Sequence, residues 1–202
     1  MTILGHLAAI FPILHLCAIA SALVWCIQTP NLASAATLFF ATYFLPPLTF
    51  RLYSLKYPAR SGRWVISNGL RCDWWVAHQL QMVYAAIPAL EAFLRFIPGA
   101  YSAWLRLWGS KVGKNVYWTP LVEIIDRHML RIGDNVVFGH KVICTSHVVS
   151  KKDNGEFVLL LRPVRIGSGT FIGALSRLGP GVKVPERSAV PYDTEYRFSY
   201  AE

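Results

Sequence analysis

The sequence predicts a mixed membrane and β protein in three parts: a transmembrane helical hairpin over residues 1–55, an amphipathic helical linker over 56–110, and a parallel β-helix over 111–202. Three observations carry that prediction. Residues 1–50 hold no Lys, Arg, Asp or Glu, so the whole formal charge of +9 lies beyond them. Tryptophans and sparse charges follow at helical spacing. A six-residue period then begins after Lys111 and runs almost to the end. Composition agrees: 54% of the residues are hydrophobic and 15% charged, where a soluble domain carries about 25% charge. That excludes a disordered chain, and four cysteines in 202 residues exclude a disulfide scaffold.

From Ile3 to Ile27 the only strongly polar side chains are His6, His15 and Ser21, and the stretch is long enough to cross a hydrocarbon core of about 30 Å. Gln28-Thr29-Pro30-Asn31 supplies a turn, and Leu32 to Phe50 forms a second uncharged run expected to end at Pro46-Pro47. Ala33-Ser34-Ala35 resembles a signal-peptide cleavage site. Against cleavage stand the missing basic n-region, the length of the first run and the second run directly behind it. Arg51, Lys56, Arg60, Arg63 and Arg71 follow the second run, and the positive-inside rule puts that flank, both termini and the β-helix on the cytoplasmic face. His6 and His15 are expected to be uncharged groups near a helix end or facing the partner helix. A pore built from them is the alternative.

Residues 64–110 place Trp74, Trp75, Val76, Leu80, Val83, Tyr84 and Ile87, then Leu90, Phe93, Leu94 and Phe96, then Trp104, Leu105, Leu107 and Trp108 at 3- and 4-residue spacings. Asp73 is the expected N-cap, with interruptions at Pro88, Pro98 and Gly99. Both an interfacial segment and a helical subdomain with its own core fit this pattern. A third membrane pass does not, because Asp73, His78, Gln79, Gln81, Glu91 and Arg95 would all need partners in lipid. Cys17, Cys26, Cys72 and Cys144 show no CxxC or metal-ligand spacing, so neither disulfide nor metal is expected.

In the last part an apolar residue followed by Gly or Pro recurs at Val112, Ile132, Phe138, Ile166, Ile172, Leu178, Val184 and Val190. The first positions step by six from 132 to 138 and again from 166 to 190. Each repeat describes one flat β face and its corner, and three faces make a coil of about 18 residues. The period breaks twice. Thr145-Ser146-His147 opens a polar excursion that returns at Arg162-Pro163-Val164-Arg165-Ile166-Gly167, and two extra residues separate Ile124 from Ile132 around Asp126-Arg127-His128. So polar an excursion must leave the coil, and loops held by a rigid scaffold carry function disproportionately.

These repeats, with Ile132-Gly133-Asp134-Asn135-Val136, Thr145-Ser146-His147 and Pro163-Val164-Arg165-Ile166-Gly167, resemble the hexapeptide-repeat acyltransferase family, in its sugar and xenobiotic O-acetyltransferase branch, over roughly residues 111–192. The resemblance implies a left-handed β-helix and a homotrimer. It implies acetyl-CoA or another acyl-CoA as co-substrate and His147 as general base. Acyl-carrier protein is an alternative donor, since no residue singles out the CoA nucleotide. Imidazole suits the role because it exchanges protons near neutrality and is best oriented by a carboxylate on its other nitrogen. Glu123 and Asp126, about one coil earlier, are the candidates for that carboxylate. A solvated loop is the alternative reading of His147, and a solvated corner that of either acid. His128 is a lesser candidate base, and His140 is expected to be exposed. Arg165, Arg177 and Lys183 are the candidates for the CoA phosphates. Neither P-loop nor Rossmann glycines are present, and the dispersed basic residues fit no nucleic-acid module. A catalytically silent β-helix, serving as an oligomerisation scaffold for a membrane enzyme complex, is the alternative function.

Overall fold

A computed structural model describes residues 2–66 and 73–197, so Arg71 and Cys72 lie outside the described residues. The chain divides into two compact units: residues 1–59 with 68–87, and residues 60–67 with 88–202.

In the first unit, α1 (Ile3–Gln28) is the one described helix long and apolar enough by itself to cross a membrane. Thr2 caps it, accepting from Gly5 N–H at 3.2 Å. α2 (Leu32–Tyr43) opens on a capping box, in which Asn31 Oδ1 accepts from Ser34 N–H and Ser34 Oγ from Asn31 N–H. Ser34, centre of the small-residue triplet, is thus a helix-start residue. The second apolar run does not stop at Pro46-Pro47 as expected. It bends by 51° after α2 and resumes as α3 (Leu45–Lys56), with the prolines in the first turn of the new helix. The bend follows from proline chemistry: without N–H groups at 46 and 47, the carbonyls of Thr42 and Tyr43 lose their helical donors.

Side chains from α1 and from α4 (Asp73–Ala86) donate to two carbonyls at the break. His15 Nε2–H donates to Ala41 O at 3.0 Å, and Tyr84 O–H donates to Thr42 O at 2.6 Å. Both side chains are buried. His15 therefore faces its partner helix and serves its backbone. Tyr84→Phe is expected to cost about 1–3 kcal/mol by stranding the Thr42 carbonyl, read as a lower thermal midpoint in detergent; an unchanged midpoint would mean another donor reaches it.

The second unit begins with β1 (Gly62–Ile66), a strand the helical spacings did not suggest, and continues with α5 (Ala89–Arg95) and α6 (Ala100–Trp108). Gly99 and Gly109 flank α6 with φ of +79° and +110°. Then come β2 (Lys111–Val112), β3 (Tyr117–Trp118), β4 (Glu123–Ile124), β5 (Leu130–Ile132), β6 (Val137–Phe138) and β7 (Ile143–Cys144). β8 (His147–Lys151) and β9 (Phe157–Leu161) form an antiparallel hairpin, with β1 added along β9. The coils resume through β10 (Val164–Ile166), β11 (Phe171–Ile172), β12 (Arg177–Leu178), β13 (Lys183–Val184), β14 (Ala189–Val190) and β15 (Glu195–Tyr196).

Three parallel ladders result, β2-β5-β10-β13, β3-β6-β11-β14 and β4-β7-β12-β15, and they are the faces of a parallel β-helix. The apolar repeat positions point inward: Val112, Ile132, Ile166 and Val184 line one face, and Phe138, Ile172 and Val190 the next, with the Trp118 ring stacked 4.5 Å from that of Phe138. Where glycine follows the inward residue it allows coils to touch, since a Cβ on Gly167 would lie 2.4 Å from Glu186 N and one on Gly139 2.5 Å from Ala174 N. The excursion after Cys144 leaves the coil as expected, satisfying its own backbone as the β8–β9 hairpin.

Candidate functional site

Both interruptions of the period meet at one corner of the β-helix. The two extra residues before Ile132 allow Asp126, Arg127 and His128 to fold inward as a buried turn closed by Met129 N–H to Asp126 O at 3.0 Å. One coil later Ser146 and His147 begin the hairpin. His147 Nδ1 lies 2.9 and 2.8 Å from the two Asp126 carboxylate oxygens, and Ser146 N–H donates to Asp126 Oδ2 at 2.8 Å. Asp126 is 2% exposed, whereas the His147 side chain keeps 17% of its surface open.

Burial pushes the Asp126 carboxyl up, but the His147 hydrogen bond and charge, His128 and the Ser146 N–H together hold it below its ordinary value. It is therefore ionised at neutral pH and can only accept. That fixes His147 as the Nδ1–H tautomer, so the basic lone pair is on Nε2. A hydroxyl or amine reaching Nε2 meets an oriented proton acceptor.

The structure brings together only some of the sequence candidates. Asp126 joins His147. Glu123 stands at the outward position of β4, opposite Ile143, and forms no ion pair among the described residues. Arg165 and Lys183 are neighbours on one outer face, whereas Arg177 lies on another, between Ile143 and Glu195. His140 is an exposed corner residue.

His128 is buried beside the pair. Burial pushes its imidazole down to about 4; Asp126 opposes this, and Arg131, His147 and Arg127 add to it. In the unfolded chain the same group titrates near 6.5. Between those values the unfolded chain binds more protons, so stability rises with pH; the contribution is complete above 6.5 and is lost as pH falls towards 4. Lowering the pH across that window should cost roughly 3 kcal/mol. Denaturant midpoints in detergent should show this slope, and His128→Gln should flatten it; an equally steep variant would assign the slope to other groups.

Sequence reasoning missed the buried ionic cluster behind Arg127. Glu91 of α5 accepts from Arg127 Nε, from Arg95 Nη2 at 3.0 Å and from Tyr101 O–H at 2.7 Å. Arg95 also donates to Pro120 O and stacks over the Tyr101 ring at 4.3 Å. The available signal was a lone acid in an apolar segment, which needs a partner wherever it is buried.

No protein-family model matches the chain. No curated protein matches it either. Among solved structures, it is similar to a hexapeptide-repeat containing acetyltransferase from Vibrio cholerae, at 16% identity and a TM-score of 0.41 over 56% of this chain and 81% of that one. A maltose O-acetyltransferase from Clostridium difficile 630 matches at 15% identity and a TM-score of 0.41, over 55% and 74%. A galactoside acetyltransferase in complex with coenzyme A matches at 16% identity and a TM-score of 0.34, over 51% and 66%.

Proposed function

We propose that this chain is a membrane-anchored acyltransferase, moving an acetyl or longer acyl group from acyl-CoA to a hydroxyl or amine of a membrane-associated or exported metabolite, lipid or glycan. The observation that carries the proposal is the His147–Asp126 pair, a half-buried imidazole oriented by a buried, ionised carboxylate at the base of a hairpin leaving a rigid β-helix. On this reading Nε2 takes the acceptor's proton as its oxygen or nitrogen attacks the thioester carbonyl. A backbone N–H holds the oxyanion, and the tetrahedral intermediate collapses by expelling CoA thiolate, which receives the proton from Nε2. Arg177, in the ladder that leads into the hairpin, is the cation we assign to the donor phosphates.

Tyr117, Val137, Phe171 and Ala189 share one outer ladder and are exposed. So apolar a stripe supports self-association, and we place the donor in the seam of a homotrimer. α1 supplies the membrane anchor, and the basic residues Arg51, Lys56, Arg60 and Arg63 support a cytoplasmic β-helix.

The test is thiol release from acetyl-CoA by the full chain in nanodiscs, with a membrane extract as acceptor pool. Release that requires both protein and extract supports the reading. No release, together with no calorimetric binding of acetyl-CoA or a longer acyl-CoA, overturns it.

A further inference from the structure

The α5–α6 turn, α6 and the first coil of the β-helix border a cavity of about 670 Å³, the size of a small-molecule site. All of its lining residues belong to the second unit. Two guanidinium groups, those of Arg95 and Arg106, line it, and no Asp or Glu does. Apolar walls come from Phe96 and Ile97 at the α5–α6 turn and from Tyr117 and Trp118 of β3.

Neither cation has a carboxylate to itself. The Arg95 side chain is 3% exposed, and the Glu91 carboxylate that meets its Nη2 at 3.0 Å is shared with Arg127. Its Nη1 donates to Pro120 O, and its Nε is buried with no acceptor among the described residues. Arg106 donates from Nε to Val112 O at 2.8 Å and from Nη2 to Gly113 O at 2.6 Å. It forms no ion pair among the described residues. Backbone carbonyls thus hold both side chains in place without neutralising them. A cation withdrawn from water is costly until an anion meets it, and a guanidinium fork fixed in advance loses little further freedom when a carboxylate binds.

The walls specify the rest of the ligand. Phe96 is 72% exposed, Ile97 47% and Tyr117 61%, so an apolar body seated here would remove a contiguous apolar surface from water. Tyr117 is also the first rung of the apolar stripe assigned above to self-association, which puts the cavity beside the seam of the proposed homotrimer. Neither His147 nor Asp126 lines it.

We infer that this cavity is a binding site for an amphipathic carboxylate, with the charge at Arg95 and Arg106 and the apolar body against Phe96, Ile97 and Tyr117. The site is additional to the proposed acyl transfer and does not rest on it. Both of its features are needed: an anion without an apolar body leaves the walls wet, and an apolar body without charge leaves the guanidinium groups unmet.

The test is calorimetric titration of the full chain in nanodiscs, blanked against empty nanodiscs, with naphthoate, its neutral amide, and acetate. Naphthoate should bind about tenfold or more tightly than either, since the amide lacks the charge and acetate the apolar body. Arg106→Gln should remove most of the preference over the amide. Phe96→Glu, at a position open enough to keep the fold, should weaken naphthoate about tenfold by placing a like charge at the wall. Bound naphthoate should slow hydrogen exchange in α6 and β3 and leave α1 unchanged. Equal affinity for naphthoate and its amide, or no heat beyond that of empty nanodiscs, overturns the site. So does an exchange footprint that misses α6 and β3. Displacement of naphthoate by acetyl-CoA overturns it in favour of a donor surface.

Discussion

His147→Ala should lower acyl transfer by about 10²-fold or more, the usual contribution of a positioned general base. The loss should fall on kcat, with the KM for acyl-CoA little changed, because in the proposed mechanism the imidazole acts on the acceptor's proton and not on the donor's phosphates. The side chain is partly open and lies at the base of a hairpin, so the thermal midpoint should move little. Asp126→Asn tests the same pair from the other side. An amide cannot stay an acceptor on both atoms, so it no longer enforces the Nδ1–H tautomer, and activity should fall by a comparable factor while the fold is kept. Thiol release over a range of acceptor concentrations measures both variants. A His147→Ala protein that releases thiol at the wild-type rate would remove His147 from the chemistry, whatever its geometry.

Which features were legible in the sequence follows from what each depends on. The β-helix core was readable because an inward residue every sixth position is a local pattern, visible at Ile166, Ile172, Leu178, Val184 and Val190 without knowing which strands pair. The apolar run of α1 was equally local. His147 was readable as the point where the period fails. Its partner was not resolved, because Glu123 and Asp126 both lie about one coil before it; only the inserted turn puts Asp126 inside, while strand alternation puts Glu123 outside. The cavity beside Arg95 was invisible for a related reason. Its walls come from the α5–α6 turn and from β3, and only folding brings them together. β1 joins β9 from far away in sequence, and no local pattern encodes such a pairing. At Pro46-Pro47 the break was legible but its consequence was not. A double proline ends one helix, and it also pre-forms the first turn of the next, which α3 uses.

Glu91→Gln should destabilise the β-helix unit by about 3–5 kcal/mol, the usual cost of removing one partner from a buried ion pair. The native cluster shares one carboxylate between two guanidinium groups and a phenol; Glu91, Arg127 and Tyr101 are buried, and the Arg95 side chain is 3% exposed. A neutral amide leaves Arg95 and Arg127 without that shared carboxylate in a site of low dielectric. Hydrogen exchange is the suitable measurement, since it reads the two units separately. Protection of the β4, β5 and α5 amides should fall, while that of α1 and α4 should hold. Removing the charges on both sides separates cause from packing. Glu91→Leu with Arg95→Met and Arg127→Met replaces all three charged groups by apolar ones and should recover much of the loss, because such exchanges of buried ion clusters are often neutral. If Glu91→Gln costs less than 1 kcal/mol, water reaches the guanidinium groups and the cluster is no anchor. If it costs the full amount, turnover should fall with it. Arg127 directly follows Asp126, and a displaced Arg127 drags the carboxylate out of register with His147.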